Sequence, residues 1–492
     1  MQADNKLRPP RIFYIILIIE LCDRIAFYGL QAIAVIYFTR DLGMSEIESS
    51  DLFASFSALA YAMLVIGGTV GDKILGIRRT YLLGIAVLLC GYGIMSLVNS
   101  NVMLYVGMGT IVIGNLLAKP STNNYVGRCF DAHDKRIDAA FTYFYMALNA
   151  GIVITSIITP IVYKFFGYHC AMAFCTFSMG VALLLYFIFK KEFQKLDNLV
   201  GSNFNSKFTY MIVIGSIIVG VILLSYLLHS QYLSNISLYT GALGSILAYF
   251  IIAVRRNKHE AKGMYIAFIL WLFSITFFIS NIQIATSITL FALHNVDLTF
   301  FGFLVPAGIT QGLSPLFIVV ASPILSSIYI SLYGKGINYN ISAKFATGIF
   351  LVGLCFLILG LGGNFFHNQN AQISIIWLII AYAFYAVGEL LVSALGASMI
   401  TQLLPSQLCG FGQGIWYVGA ALGMKIGGEL FEFFAAPINS GIDKFALLGA
   451  YINLFYKLGF CTLLIAVILF ILVRPLSKAI GEVMIYKKNQ DK

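Results

Sequence analysis

Long apolar blocks, parted by short polar links, run from one end of this 492-residue chain to the other. Residues 208–228, 345–361 and 458–473 are representative. Crossing a bilayer takes roughly 20 apolar residues in a helix. A membrane β-barrel would show short segments of alternating character instead. In lipid each backbone group must be satisfied within the structure, so these blocks are predicted to be helices. The pattern predicts fourteen spans, at 12–38, 52–71, 80–98, 102–122, 138–164, 169–190, 209–229, 235–254, 264–293, 308–332, 342–362, 372–401, 408–436 and 448–474. Several exceed the minimum length, which predicts tilts or kinks.

Composition agrees with this class: 60% of residues are hydrophobic and 11% charged, with a mean hydropathy of +0.89. Soluble domains are about 25% charged. The net charge of +10 points to the loops rather than to nucleic acid. With the N-terminus inside and the spans alternating, 24 of the 31 lysines and arginines fall on the cytoplasmic side. Arg40, Lys164, Lys444 and Lys457 fall outside, and Arg24, Lys119 and Lys425 lie within spans. This bias fits an even number of spans and cytoplasmic termini. Lys6, Arg8 and Arg11 before the first apolar run could pass for a signal peptide. The run carries Glu20, Asp23 and Arg24 and shows no convincing small-residue cleavage site, so it is read as a retained helix. The eight cysteines are scattered without a CxxC or Cys/His cluster, so no metal or cofactor is expected. The loops hold no nucleophile–base grouping and no Walker A loop, which argues against an enzyme and against an ATP-driven pump.

The informative residues are the charges inside the spans. Each costs about 2.5–3.5 kcal/mol at the bilayer centre on insertion scales. In the first span Glu20, Arg24, Phe27 and Gln31 follow at spacings of four, three and four, one helix face, with Asp23 and Tyr28 beside it. Such a face must point into the bundle. Glu20–Arg24 could be a packing salt bridge only, although a buried ion pair is a poor stabiliser. Lys119 precedes Pro120 near the cytoplasmic end of the fourth span, where snorkelling is the ordinary alternative. Glu389 sits mid-span in AYAFYAVGELLVSALG, too deep for that. Glu20, Asp23, Arg24, Lys119 and Glu389 together would carry one net negative charge, which one proton would neutralise. Lys425 and Glu429, four apart, are expected to form a local pair.

Several of these segments resemble one known family. GTVGDKILGIRR (residues 68–79) is similar to the loop motif of major facilitator transporters. ELCDRIAFYG (20–29) resembles the first-helix signature of the proton-dependent oligopeptide transporters, Glu-x-x-Glu-Arg-Phe-x-Tyr-Tyr-Gly. GNLLAKP resembles their fourth-helix lysine motif, FTYFYMALNAG (141–151) their fifth-helix signature, and GELLVSALG with LLPSQLCGFGQGIWYVG their tenth and eleventh helices. The order of the motifs covers nearly the whole chain, and the pattern looks most like bacterial dipeptide and tripeptide permeases.

The resemblance implies an all-α polytopic protein of major facilitator fold. It would have a six-helix bundle at 1–195, two additional helices at 196–262 and a second six-helix bundle at 263–492. It implies proton-coupled import of di- and tripeptides by alternating access, in a bacterial cytoplasmic (inner) membrane with both termini cytoplasmic. Carried over by position, Arg24 and Lys119 would face the peptide carboxylate, and Asn149 and Glu389 its amino group. Tyr28, Gln31, Tyr61, Tyr145, Gln283, Ser314 and Trp416 would contribute to the pocket. Glu20, Asp23, Arg24 and Glu389 would couple the proton. Partners would be peptide, protons and membrane lipid, with no nucleic acid and a monomer expected.

This chain departs from the pattern in places. Asp23 replaces the second Glu, Ile25 the Phe and Phe27 the first Tyr. Gln31 stands where many members have a second arginine, and Ile282 where they have a seventh-helix carboxylate, so their outer gate ion pair cannot form. That leaves Lys119–Glu389 as a possible cross-bundle pair. Ser314 replaces an asparagine, and Leu116 and Ala118 replace Gly and Phe in the lysine motif. The alternatives are a facilitator for another small solute and a peptide receptor without turnover. The charge count makes a topological prediction: green fluorescent protein fused after residue 492 fluoresces, and alkaline phosphatase fused after Arg40 is active. The opposite pattern would invert the topology.

Overall fold

The computed structural model describes residues 10–64, 76–128, 137–197, 207–300, 302–334, 340–405, 408–435 and 443–490. Every predicted span has a helical counterpart among them. The helices are α1 (Arg11–Arg40), α2 (Glu46–Ala62), α3 (Ile77–Ser96), α4 (Asn101–Arg128), α5 (Ile137–Ile188), α6 (Lys190–Asp197), α7 (Lys207–His229) and α8 (Gln231–Val254). They continue with α9 (Lys258–Ala285), α10 (Ser287–Asn295), α11 (Leu313–Gly334), α12 (Ile341–Phe365), α13 (Ile375–Leu403), α14 (Cys409–Ala435) and α15 (Lys444–Gln490).

Three boundaries differ from the pattern for identifiable reasons. The spans expected at 138–164 and 169–190 follow one another without a loop as the two halves of α5, divided by a kink at Gly167 with φ 80° and ψ 175°. That backbone region favours glycine, and the chain turns there. The span expected at 264–293 breaks at Thr286 (φ −111°, ψ −98°) into α9 and α10. Its hydroxyl donates to the Ile282 carbonyl at 2.9 Å, and the Thr289 hydroxyl donates to Ile284 at 2.6 Å. The Ile282 carbonyl also accepts the Thr286 backbone N–H at 3.1 Å, so hydroxyls and backbone together keep the carbonyls at the break satisfied. The span expected at 308–332 begins with a 3-10 turn, Ala307–Gly312, before α11.

Side chains on the outer faces of the helices are apolar and exposed: Met211, Val219 and Ile222 on α7, and Phe460, Leu464 and Ile471 on α15. Water does not tolerate so much contiguous apolar surface, and lipid does. Polar groups turn inward instead.

The helices fall into two compact units. One comprises residues 1–34 and 63–231, the other 35–62 and 232–492. α2 and the end of α1 are therefore grouped with the C-terminal helices. The helices expected as an additional pair divide as well. α7 packs on α4 in the first unit, where a Cβ on Gly109 would lie 3.0 Å from Ser225 Oγ. The body of α8 joins the second unit, and its Tyr249 hydroxyl donates to the Met264 carbonyl of α9 at 2.7 Å.

Without a strong hydrophobic force between helices in lipid, close approach depends on small residues. In the first unit a Cβ on Gly84 of α3 would fall 2.6 Å from the Ala118 nitrogen of α4. In the second, a Cβ on Gly388 of α13 would fall 2.7 Å from the Gly348 carbonyl of α12. Each contact lies one residue before a half-buried charge, Lys119 or Glu389. Gly84→Leu must push α3 from α4, and overpacking of this kind costs about 1–3 kcal/mol. A lower melting temperature in detergent is expected, and an unchanged one would contradict the contact.

Candidate functional site

Within the first unit the charged face of α1 is assembled as its spacing predicts. Arg24 Nη2 donates to Glu20 Oε1 at 2.7 Å, one helical turn apart. Glu20 and Asp23 are both buried. Both carboxylate oxygens of Asp23 lack a hydrogen-bond donor among the described residues. From α4, Lys119 places its ammonium 4.5 Å from the centroid of the Phe27 ring. The charges of Glu20, Asp23, Arg24 and Lys119 act on one another within this one region. Lys119 thus turns toward α1 rather than snorkelling outward. Pro120 removes one backbone donor from α4, and Ser121 and Thr122 donate to the carbonyls of Leu117 and Ala118 at 3.0 and 3.2 Å. These hydroxyls hold the turn around Pro120 in a helix that carries a charge.

Asn149 is buried in α5. Two residues on, the Gly151 backbone packs on α1, where an added Cβ would meet Leu21 Cδ1 at 2.4 Å and Arg24 Cβ at 4.0 Å. Tyr28 and Gln31 are half-buried on α1, and the Phe27 and Tyr28 rings meet edge to face at 5.5 Å. The Tyr145 side chain, like most of the fifth-helix signature and residues 68–75 of the loop motif, lies outside the described residues.

Within the second unit Glu389 accepts a hydrogen bond from Ser314 Oγ at 3.0 Å. An apolar contact supports this pair: Ile318 of α11 packs with Ala386 and Leu390 of α13. One turn from Glu389, the Tyr385 hydroxyl accepts from Asn281 Nδ2 at 2.8 Å. The Tyr385 ring stacks on Phe277 at 6.0 Å. Asn281 and Tyr385 were missed in the sequence. Their signal was the four-residue spacing from Tyr385 to Glu389 and a polar Asn281 beside Ile282.

Gln283 and Trp416 are differently placed. Gln283 is fully buried. Its Nε2 donates to the Gly427 carbonyl at 2.7 Å and to Ile279 at 3.3 Å, and its Oε1 accepts from Ser287 at 2.6 Å. Its amide ties α9 to α14, with both of its polar atoms engaged within the protein. Trp416 lies edge-on to Phe278 and Phe345, at 5.6 and 6.3 Å. Its ring fills the notch at Gly396, where a Cβ would come within 2.2 Å of it. Tyr61 is half-buried, with its ring 6.2 Å from that of Tyr417.

The local pair expected of Lys425 and Glu429 is present, but a closer partner was missed. Lys425 is fully buried. Its ammonium bonds directly to Asp51 of α2 and lies 3.0 Å from Ser55 Oγ, whereas Glu429 is 3.9 Å away. The span pattern began α2 at residue 52, which left Asp51 in a loop. In the structure α2 begins at Glu46, and its first turns are buried.

These helices and motifs have counterparts in known proteins. The profile of the POT family matches residues 74–454. The chain belongs to the POT family. Dipeptide and tripeptide permease B of Photorhabdus luminescens is 35% identical over 480 residues, 97% of this chain and 98% of its own length. A solved structure of a proton dependent oligopeptide transporter is 32% identical and superposes with a TM-score of 0.79, covering 95% of this chain and 99% of its own. Tetrameric PepTSo2 is 30% identical, with a TM-score of 0.82 over 95% of this chain and 98% of its own. The fold is accordingly that of the major facilitators, with two additional helices, and this POT-family chain is an integral membrane transporter, not an enzyme.

The geometry of Gln283 carries its own test. Gln283→Ala leaves the buried Gly427 carbonyl without its donor, which costs about 1–3 kcal/mol. A lowered melting temperature in detergent is expected, and an unchanged one would show that the amide is free for another partner.

Proposed function

We propose that this chain imports di- and tripeptides together with protons, by alternating access, across the inner membrane with both termini in the cytoplasm. The observation that carries the reading is the charged cluster of α1 and α4: two half-buried cations and two buried carboxylates among apolar helices, with both Asp23 oxygens lacking a hydrogen-bond donor among the described residues. Structural pairing alone would match each charge. A cluster that leaves an acid without a donor suits a group that takes up and loses a proton.

In this reading Arg24 and Lys119 receive the peptide carboxylate, and Glu389, aided by Asn149, receives the amino group. Ser314 orients Glu389. Tyr28, Gln31, Tyr61 and Tyr145 offer hydroxyls, an amide and flat apolar area to varied side chains. Gln283 and Trp416 act through the packing of α9 and α14 rather than by direct polar contact. Arg24 is bound to Glu20 before substrate arrives. An incoming carboxylate competes for that guanidinium, which couples peptide binding to the protonation of Glu20 and Asp23. In this reading the monomer is the unit of transport. The tetramer of the relative's crystals is then an assembly of complete units.

The names of the relatives support this substrate class over another solute, since permeases for dipeptides and tripeptides match nearly the whole chain. Glu389→Gln and Arg24→Ala are each expected to cut uptake of labelled dialanine in proteoliposomes by about a hundredfold, as loss of a buried charge contact costs about 3–5 kcal/mol. Monodisperse elution and an unchanged melt would show intact folding. Normal uptake in either variant removes that residue from the mechanism. A panel of unlabelled dipeptides should compete with the labelled one; indifference to all of them would favour a different solute.

A further inference from the structure

The second unit holds an ionic cluster that the transport reading does not use. It lies at the start of α2, the end that the loop charges place outside. Asp51 of α2 bonds Lys425 of α14, and neither side chain is appreciably exposed. Ser55 Oγ lies 3.0 Å from the same ammonium. Glu429 stands 3.9 Å from it and accepts from the Tyr239 hydroxyl of α8 at 2.6 Å. The helices meet closely here, since a Cβ on Gly428 would fall 2.6 Å from that of Ala54. One turn earlier, buried Glu46 accepts from the Tyr451 hydroxyl of α15 at 2.7 Å. Its other oxygen lies 2.6 Å from His294 Nε2 of α10, off the hydrogen-bonding direction. Two acids on one short helix are therefore held by three C-terminal helices.

α2 belongs by sequence to the first six spans, yet it is grouped with the C-terminal helices. A transporter must present its site to each face in turn, through movement of its repeats. Contacts between a helix of the first half and helices of the second have to be made and broken in each cycle. An apolar contact would favour the closed arrangement. A buried ion pair behaves differently, because its mutual attraction roughly offsets the cost of removing both charges from water. Opening hydrates both partners, so the made and broken states lie close in free energy.

We propose that Asp51 and Lys425, with Glu46 seated on Tyr451 and His294, form a latch that holds α2 against the C-terminal helices in this state and releases it in the other. Because the latch is balanced, changes at it bias the cycle in opposite directions. Removing one charge strands the other in the buried arrangement and favours release. Replacing both by apolar residues favours closure.

The test reads access rather than transport, so it stands apart from the proposed function on which it rests. Ser50 is buried with an unbonded hydroxyl, and Ser50→Cys changes little. The reporter is the rate at which a membrane-impermeant maleimide labels this cysteine in proteoliposomes of the full chain. Asp51→Asn and Lys425→Ala are each expected to raise the rate about tenfold or more. Asp51→Val combined with Lys425→Met is expected to lower it below the parent, and the exchange of Asp51→Lys with Lys425→Asp to bring it back toward the parent. Asp51→Asn keeps the size and an acceptor oxygen, so it reports even if the exchanged pair does not fold. Equal rates in parent and Asp51→Asn, or faster labelling in the apolar pair, would overturn the latch. Labelling that responds as expected in a protein that takes up no dipeptide would leave the latch standing and remove the peptide reading.

Discussion

Charge inside hydrocarbon is the constraint on which this structure turns. Lipid offers no water, so each ionised side chain must find a counter-charge, a hydrogen bond or an aromatic face within the protein. Arg24 finds Glu20, and Lys119 finds the Phe27 ring and the neighbouring carboxylates. Glu389 finds Ser314, and Lys425 finds Asp51. The helices are arranged so that these encounters occur. Glycine contacts bring α3 to α4 beside Lys119 and α12 to α13 beside Glu389. In both units a charge sits next to a close backbone approach, where its helix has little freedom to move.

Not all of these charges are equally satisfied, and the differences divide them by role. The Glu20–Arg24 pair is complete, whereas Asp23 has no donor. Lys425 is surrounded by two acids and a hydroxyl. A fully compensated buried pair is nearly neutral in free energy and can open and close. A carboxylate that has cations nearby and no hydrogen-bond donor of its own among the described residues is instead suited to take up a proton. The first property suits a contact that alternates, the second a group that binds and releases.

Much of this was legible in the sequence, because the bilayer imposes length and polarity on every span. The fourteen apolar blocks became helices, and the i, i+4 spacing of Glu20 and Arg24 became a 2.7 Å bond. The depth of Glu389 in its span set it apart, and the structure gives it Ser314 as a partner. What escaped was whatever depended on a partner distant in sequence. Lys425 was given to Glu429 because that residue is one turn away, but Asp51, 374 positions distant, lies nearer. Glu46 and Asp51 looked like loop residues, since an acidic helix start interrupts the apolar pattern that marks a span. Gln283 showed the converse: a polar residue inside a span whose bonds serve helix packing. Hydropathy separates lipid-facing from inward-facing positions, and it does not separate a pocket from a tightly packed seam.

The central claim is that the buried acids tie proton movement to peptide movement. Its most direct measurement is the pH inside proteoliposomes, followed with a trapped dye when a dipeptide is added outside without any imposed gradient. Coupled entry predicts acidification of the interior that starts with the dipeptide and is abolished by Glu389→Gln. Dipeptide accumulation with no change in internal pH would contradict the account.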